Sequence, residues 1–266
     1  MPTWLYQIHP LYAGLLLVAI IEIVSMIGLF LTRRLILPRL HYHDGANDAV
    51  SGTVQAIGVF YGITVGLIAV GVWNTHSNAS DLVSKEASAI GALYRDVNGY
   101  PDPLRTELKS ALREYTVFVI ETAWPEQQAG RGQRVDAGTR IMDEFQGKLY
   151  AFQPANPGQV ALHTETLAAY NKLIEYRRLR IDAVDNALSA TMWTVIWVGA
   201  VISIGVAYFY NIPDARLHVI LVALMSGFLA MVLFMITVND RPFFGHVSVS
   251  SAPYKIILDR LIDLSR

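Results

Sequence analysis

Glu22 is the only acidic or basic side chain deep inside any of the four long apolar runs of this chain. A carboxylate at the centre of a bilayer costs about 2.5–3.5 kcal/mol on insertion scales, so it normally faces protein or water and marks a pathway. The alternative is a structural Glu22, protonated or hydrogen-bonded to Gln55, Thr64 or Ser203. Arg177, Arg178 and Arg180 stand shortly before the third run. They form either a solvated or headgroup-facing patch or a vestibule that attracts anions. The stretch HYHD at 41–44 sets His41 and His43 beside Asp44, but without a fourth ligand it reads as an interfacial loop.

Other chemistry is excluded or unsupported. Cysteine is absent, which removes disulfides, thiolate metal sites and cysteine nucleophiles. No nucleophile–base pair, phosphate-binding loop or haem motif occurs, and His9, His163, His218 and His246 stand apart from one another. An enzymatic role has no positive support, and no metal or cofactor is called for. A net charge of −1 offers no basic surface for nucleic acid.

The elements that must position these groups are helices in lipid. Of 266 residues, 53% are hydrophobic and 16% charged, against about 25% charged in soluble domains. Charge is nearly missing from four blocks, at 11–31, 53–73, 191–210 and 217–238. Each is long enough to cross the ~30 Å hydrocarbon core as a helix. Trp4, Tyr6, Tyr12, Trp73, Trp193, Trp197, Tyr208 and Tyr210 mark the interfaces. Block one is too long for a signal peptide and has no preceding Lys or Arg.

The expected plan is all-α: a first transmembrane pair in 1–73, a helical extramembrane domain in 74–190, a second pair in 191–238 and a polar C-terminal tail in 239–266. Within the insert, helical spacing predicts a continuation of block two to Tyr100, then a helix capped by Asp102 and stopping near WPEQ at 124–127. A loop over 126–134 follows, then a helix over 135–152 and a long helix opened by Pro157 that runs into block three near Ser189. Basic residues in the loops do not fix the orientation.

Block two carries Gly58, Gly62 and Gly66 on one helical face with Gln55 and Trp73, and Phe60, Thr64, Leu67 and Gly71 on the opposite arc. Glycine costs roughly 1 kcal/mol in a water-exposed helix, but in lipid small residues let helices approach. The glycine face therefore packs against another span, or the helix surrounds an oligomer axis with one face lining a pore.

Two segments carry a resemblance. After block two come Trp73, Ala79, Glu86-Ala87 and Tyr94-Arg95; after block four come Asp240, Arg241, Pro242, Phe243, Gly245 and Val249-Ser250. The chain thereby resembles a bacterial family of uncharacterised, bestrophin-like membrane proteins over nearly its whole length. Relatives tend to carry a proline before block three, where this chain reads Ala-Leu-Ser-Ala at 187–190. The resemblance implies a homopentameric anion channel in the bacterial inner membrane with a cytoplasmic helical insert. It nominates the Phe60, Thr64 and Leu67 face of span two, or else the glycine face, as pore lining. Lipid, inorganic anions and further copies of the chain are the expected partners.

A second hypothesis is a non-conducting sensor or scaffold whose insert binds a partner. A third is a carrier using Glu22 as a proton site, against which stand four spans and no internal repeat.

Overall fold

The computed structural model describes residues 8–40, 42–43, 45–130 and 135–263, without the side chains of 135 and 136. Trp4, Tyr6, His41, Asp44 and loop residues 131–134 lie outside the described residues. The described chain is helical throughout, with no strand, and divides into two units. One holds residues 1–74 and 187–240, the other 75–186 and 241–266.

In the first unit, α1 spans Pro10–Leu31 and continues as a wider turn, Thr32–Ile36, and a tighter one, Leu37–Arg39. Its start follows from His9, whose Nδ1 accepts from the Leu11 N–H at 3.4 Å, and from Pro10 in the first turn. Helix α2 spans Ala46–Asp96, 51 residues without a break. Helices α7 (Ala190–Ala207) and α8 (Ala215–Asn239) form the second pair, capped by the side chains of Ser189 and Asp214. Four helical stretches, Pro10–Arg39, Ala46–Gly99, Ala190–Ala207 and Ala215–Asn239, are long and apolar enough to cross a membrane.

These spans pack through glycines, as expected where hydrophobicity cannot tell helix from lipid. Helix α1 lies against α8. The Phe234 ring sits on Gly14, and Glu22 Oε1 would be 2.8 Å from a Cβ on Gly227. The Tyr208 ring covers Gly28 equally closely. Helix α2 meets α7 where the Tyr61 ring lies on Gly199, a methyl at which would stand 2.4 Å from the ring. The Tyr61 hydroxyl then donates to Ile196 O at 2.9 Å, so the ring is fixed at both ends. Gly58, Gly62 and Gly66 are not packing positions inside the chain: a Cβ on each meets nothing within 4 Å.

The second unit contains residues 75–96 of α2, α3 (Leu104–Phe118), α4 (Trp124–Gln128), α5 (Val135–Ala151), α6 (Pro157–Val184) and α9 (Ala252–Ile257). A wider turn over Val119–Ala123 joins α3 to α4. The core gathers one stripe from each element: Val83, Ile90 and Leu93; Leu108, Leu112 and Tyr115; Phe145 and Leu149; Tyr170 and Leu173.

The structure corrects three expectations. Helix α6 does not run into α7: it ends at Val184 with Asp185 as its cap, and α7 starts afresh behind Ser189. Asp240 reinforces that break by accepting the Leu188 N–H at 2.6 Å, so no proline is required. Residues 241–263 are not a separate polar tail, because Phe243, Val249, Tyr254 and Ile262 belong to the core of the second unit. Helix α3 starts at Leu104 with Pro103 at the cap, and the Asp102 carboxylate instead takes the Thr106 hydroxyl and Arg105.

Candidate functional site

At roughly 100° per residue, the strip of α2 facing its own chain is Tyr61, Val65 and Val72, packed with Ile196, Ala200, Leu233 and Ile236. Ile68 and Ala69 are partly buried against the same cluster, and the other residues of 58–71 are exposed. Gly58, Gly62 and Gly66 flank this strip on one side, and Thr64 and Phe60 flank it on the other, with Leu67 further round. Directly opposite lie Val59, Ile63 and Val70, each more than half exposed. Phe60 is 73% exposed, Leu67 69% and Trp73 63%. Residues 52–73 carry no charge.

The polar groups proposed for a pathway are dispersed. Glu22 is half-buried on the α1–α8 contact, against Gly227. Gln55 reaches Ser51 and Thr64 reaches the Phe60 carbonyl, each within α2, and Ser203 on α7 is buried without a hydrogen-bond partner. None of these three is bonded to Glu22. A different polar contact ties the spans: Arg33 Nη1 lies 2.9 Å from His218 Nδ1 and 3.1 Å from Ile212 O, while His218 Nε2 lies 3.1 Å from Ala207 O. With Nε2–H donating to the carbonyl, Nδ1 is free to accept from the guanidinium, so the ring is neutral in this arrangement.

In the second unit the family-motif residue Glu86 is fully buried, and Arg180 pairs with it at 2.5 Å through Nε. Tyr115 donates to the same carboxylate at 2.6 Å. Arg180 is therefore neither a vestibule nor a lipid-facing residue: it is 2% exposed, with its guanidinium 6.0 Å from the Trp124 ring centre. Burial works against the charge of Arg180, but the charge and hydrogen bond of Glu86, together with Tyr254 and Tyr115, hold the guanidinium well above its ordinary pKa. Burial, then the Glu86 charge, push the phenols of Tyr115 and Tyr254 well up. Such a pair is held by hydrogen bonds to the carboxylate as much as by Coulomb attraction. Arg177 is half-buried, bonded to Thr139 and set over the Tyr115 ring, whereas Arg178 is exposed.

The remaining motif residues have structural places. Tyr94 is buried and donates to Ile262 O, and Arg95 is exposed. Asp240 caps the approach to α7 and takes the Trp193 indole N–H. Arg241 is exposed, over the Phe244 ring, and Pro242 is buried. Phe243 packs edge-on against Trp124. Gly245 has φ +81, where a side chain is strained, and its N–H donates to Gln128 O at 3.1 Å. No group of three metal-ligating side chains occurs among the described residues.

The contacts made by Tyr61, Tyr115, Trp124, Arg33 and His218 are not legible in the sequence. The partners of Arg180 were hidden, but its phase was not: Thr166, Tyr170, Leu173, Arg177 and Arg180 recur at helical spacing on one side of α6, and Arg178 falls off it.

Comparison with curated proteins and with solved structures gives no match. The bestrophin-like domain matches residues 19–254. With four membrane-length apolar helices, Glu86 at the heart of the helical unit and this match over most of its length, the chain is an integral membrane protein of the bestrophin-like domain family.

Proposed function

We propose that the chain assembles with further copies of itself into an anion-conducting channel whose axis is lined by α2. Membership of the family points to a channel-type membrane protein. The observation that carries the finer reading is the openness of α2: one strip, Tyr61, Val65, Ile68, Ala69 and Val72, meets its own chain, and a Cβ on Gly58, Gly62 or Gly66 meets nothing within 4 Å.

A helix attached on one strip presents two flanks and a far face. In a closed ring each copy offers the same two flanks to different neighbours, a heterologous contact. The smooth flank of Gly58, Gly62 and Gly66 then receives the bulkier Phe60 and Thr64 flank of the next copy. The far face, Val59, Ile63 and Val70, turns to the axis, with Leu67 at its edge, and forms an apolar constriction of the kind that gates by dewetting. Residues 52–73 carry neither an acidic nor a basic ring, so the preference for anions rests on the family resemblance. The helical unit is assigned to the cytoplasmic side, as the resemblance implies.

The test is chloride efflux from liposomes holding the purified full chain, with Leu67→Ala and Glu22→Gln beside wild type. The proposal expects efflux that rises in Leu67→Ala and persists in Glu22→Gln. Efflux abolished by Glu22→Gln alone moves the pathway to the α1–α8 contact. No efflux from folded protein across a range of pH and calcium supports the sensor or scaffold reading.

A further inference from the structure

Arg33 and His218 meet at one end of the membrane unit, and neither belongs to the helix that the channel reading uses. Arg33 lies in the wider turn Thr32–Ile36 that continues α1, and His218, 1% exposed, lies at the start of α8. Wider turns of this kind are rare and recur at functional sites. Arg33 Nη1 stands 2.9 Å from His218 Nδ1 and 3.1 Å from Ile212 O, so both hydrogens of that one nitrogen are used. The other ring nitrogen, Nε2, stands 3.1 Å from Ala207 O.

The two partners fix the protons of the ring independently. A guanidinium nitrogen only donates, so Nδ1 must accept; a carbonyl only accepts, so Nε2 must carry the proton. The ring is thus held as one neutral tautomer with no nitrogen left over. A second proton has only Nδ1 to enter. There it would set an N–H against an N–H and a cation against a cation at hydrogen-bond distance. Histidine is the side chain whose ordinary titration falls between pH 5 and 8.

Among the described residues no carboxylate pairs with Arg33 or His218 to relieve that repulsion. On α1 the other ionisable groups are Arg34, set over the Phe30 ring, and Glu22, about three turns away. Helix α7 carries no charge, and the phenols Tyr208 and Tyr210 follow it, the first lying on Gly28. On α8 the Asp214 carboxylate takes the Arg216 N–H at 2.8 Å, and the Arg216 side chain is exposed. His43 and Asp48, at the approach to α2 and in its first turn, are exposed. The α7–α8 connection is also tied to this approach: Tyr42 donates to Phe209 O at 2.8 Å, and Asn47 exchanges hydrogen bonds of 3.1 and 2.9 Å with the Asn211 backbone. The end of α1 is therefore the part that leaves. The geometry points to an acid-released latch: a proton taken from solvent onto His218 Nδ1 expels Arg33 and frees the turn Thr32–Ile36 from the α7–α8 connection.

The experiment uses the full chain with Leu35→Cys and Ala215→Cys, two exposed positions in a sequence that has no other cysteine. Each cysteine carries a spin label, and the labelled chain is diluted with unlabelled protein in lipid nanodiscs, so that electron–electron distances are those within one chain. Release takes up one proton, so the ratio of released to latched distances is expected to rise by up to about tenfold per pH unit as pH falls from about 8 to 5. His218→Gln is expected to stay latched across that range. Its side-chain oxygen accepts from Arg33 and its amide donates to Ala207 O, but it takes no proton. Arg33→Met is expected to show the released distances at every pH, and it decides alone if the glutamine variant fails to fold. One unchanged distribution in the His218 protein over the whole pH range overturns the latch. So does an undiminished pH slope in His218→Gln, or latched distances in Arg33→Met. Distances are read without flux, so failure of the latch and failure of the channel reading are separate results.

Discussion

Arg180→Ala is expected to destabilise the helical unit by about 3–5 kcal/mol, because it leaves the fully buried Glu86 carboxylate without its cation. Glu86→Gln acts from the other side, stranding the guanidinium over Trp124. At roughly 2–4 °C per kcal/mol for a chain of this size, the midpoint falls by about 6–20 °C. Thermal unfolding followed by circular dichroism in detergent reads the effect. Arg178→Ala, two residues away and exposed, is the control and should stay within about 0.5 kcal/mol of wild type. The double change Glu86→Leu with Arg180→Met should recover most of the loss, because apolar groups of similar volume leave no charge buried. Equal midpoints for Arg180→Ala and Arg178→Ala would remove the pair from the account of the fold.

Gly62→Leu should have the opposite signature. Inside the chain a side chain at Gly62 meets nothing within 4 Å, and leucine is the better helix former by up to about 1 kcal/mol. The isolated chain is therefore expected to fold as well as wild type. Assembly should fail, because leucine fills the smooth flank that a neighbouring α2 must approach. Light scattering of the purified protein should show smaller particles, and chloride efflux should fall by at least about tenfold, or 1.4 kcal/mol in free energy. Unchanged particles with unchanged efflux would place the glycine flank in lipid and break the ring geometry.

The four spans and the helical character of the insert are legible in sequence because each rests on contrast. Charge vanishes from the spans, and apolar residues recur at helical spacing in α3, α5 and α6. Contrast fails inside the membrane. Around α2 every face is apolar or small, so nothing in the residue types distinguishes the Tyr61–Val65–Val72 strip that meets its own chain from the faces that do not. Gly199 and Gly227 act as packing glycines because Tyr61 and Glu22 lie over them, a fact about the partner helices. Gly58, Gly62 and Gly66 form a more regular pattern and meet nothing.

The buried network was half legible. The motif singles out Glu86, and residue type alone makes Arg180 a solvated, headgroup-facing or vestibule charge, although it is in phase with Tyr170 and Leu173 on the core side of α6. A charged residue in a core stripe calls for a buried partner, and the motif glutamate was the available one. The segment after α8 looks polar in sequence because prolines, glycine and serines separate its apolar residues. Its anchors, Phe243, Val249, Tyr254 and Ile262, follow no single period, so only the packed core reveals them.

The claim that α2 lines the pore is tested most directly through the absence of cysteine from the chain. A single cysteine at Ile63, the centre of the open far face, can be treated with a charged thiosulfonate reagent during chloride efflux. A matched cysteine at Leu224, 68% exposed on α8, reports a lipid-facing position. The account predicts that the reagent suppresses efflux through Ile63→Cys and leaves Leu224→Cys unchanged. Efflux through Ile63→Cys that persists after verified labelling would contradict it.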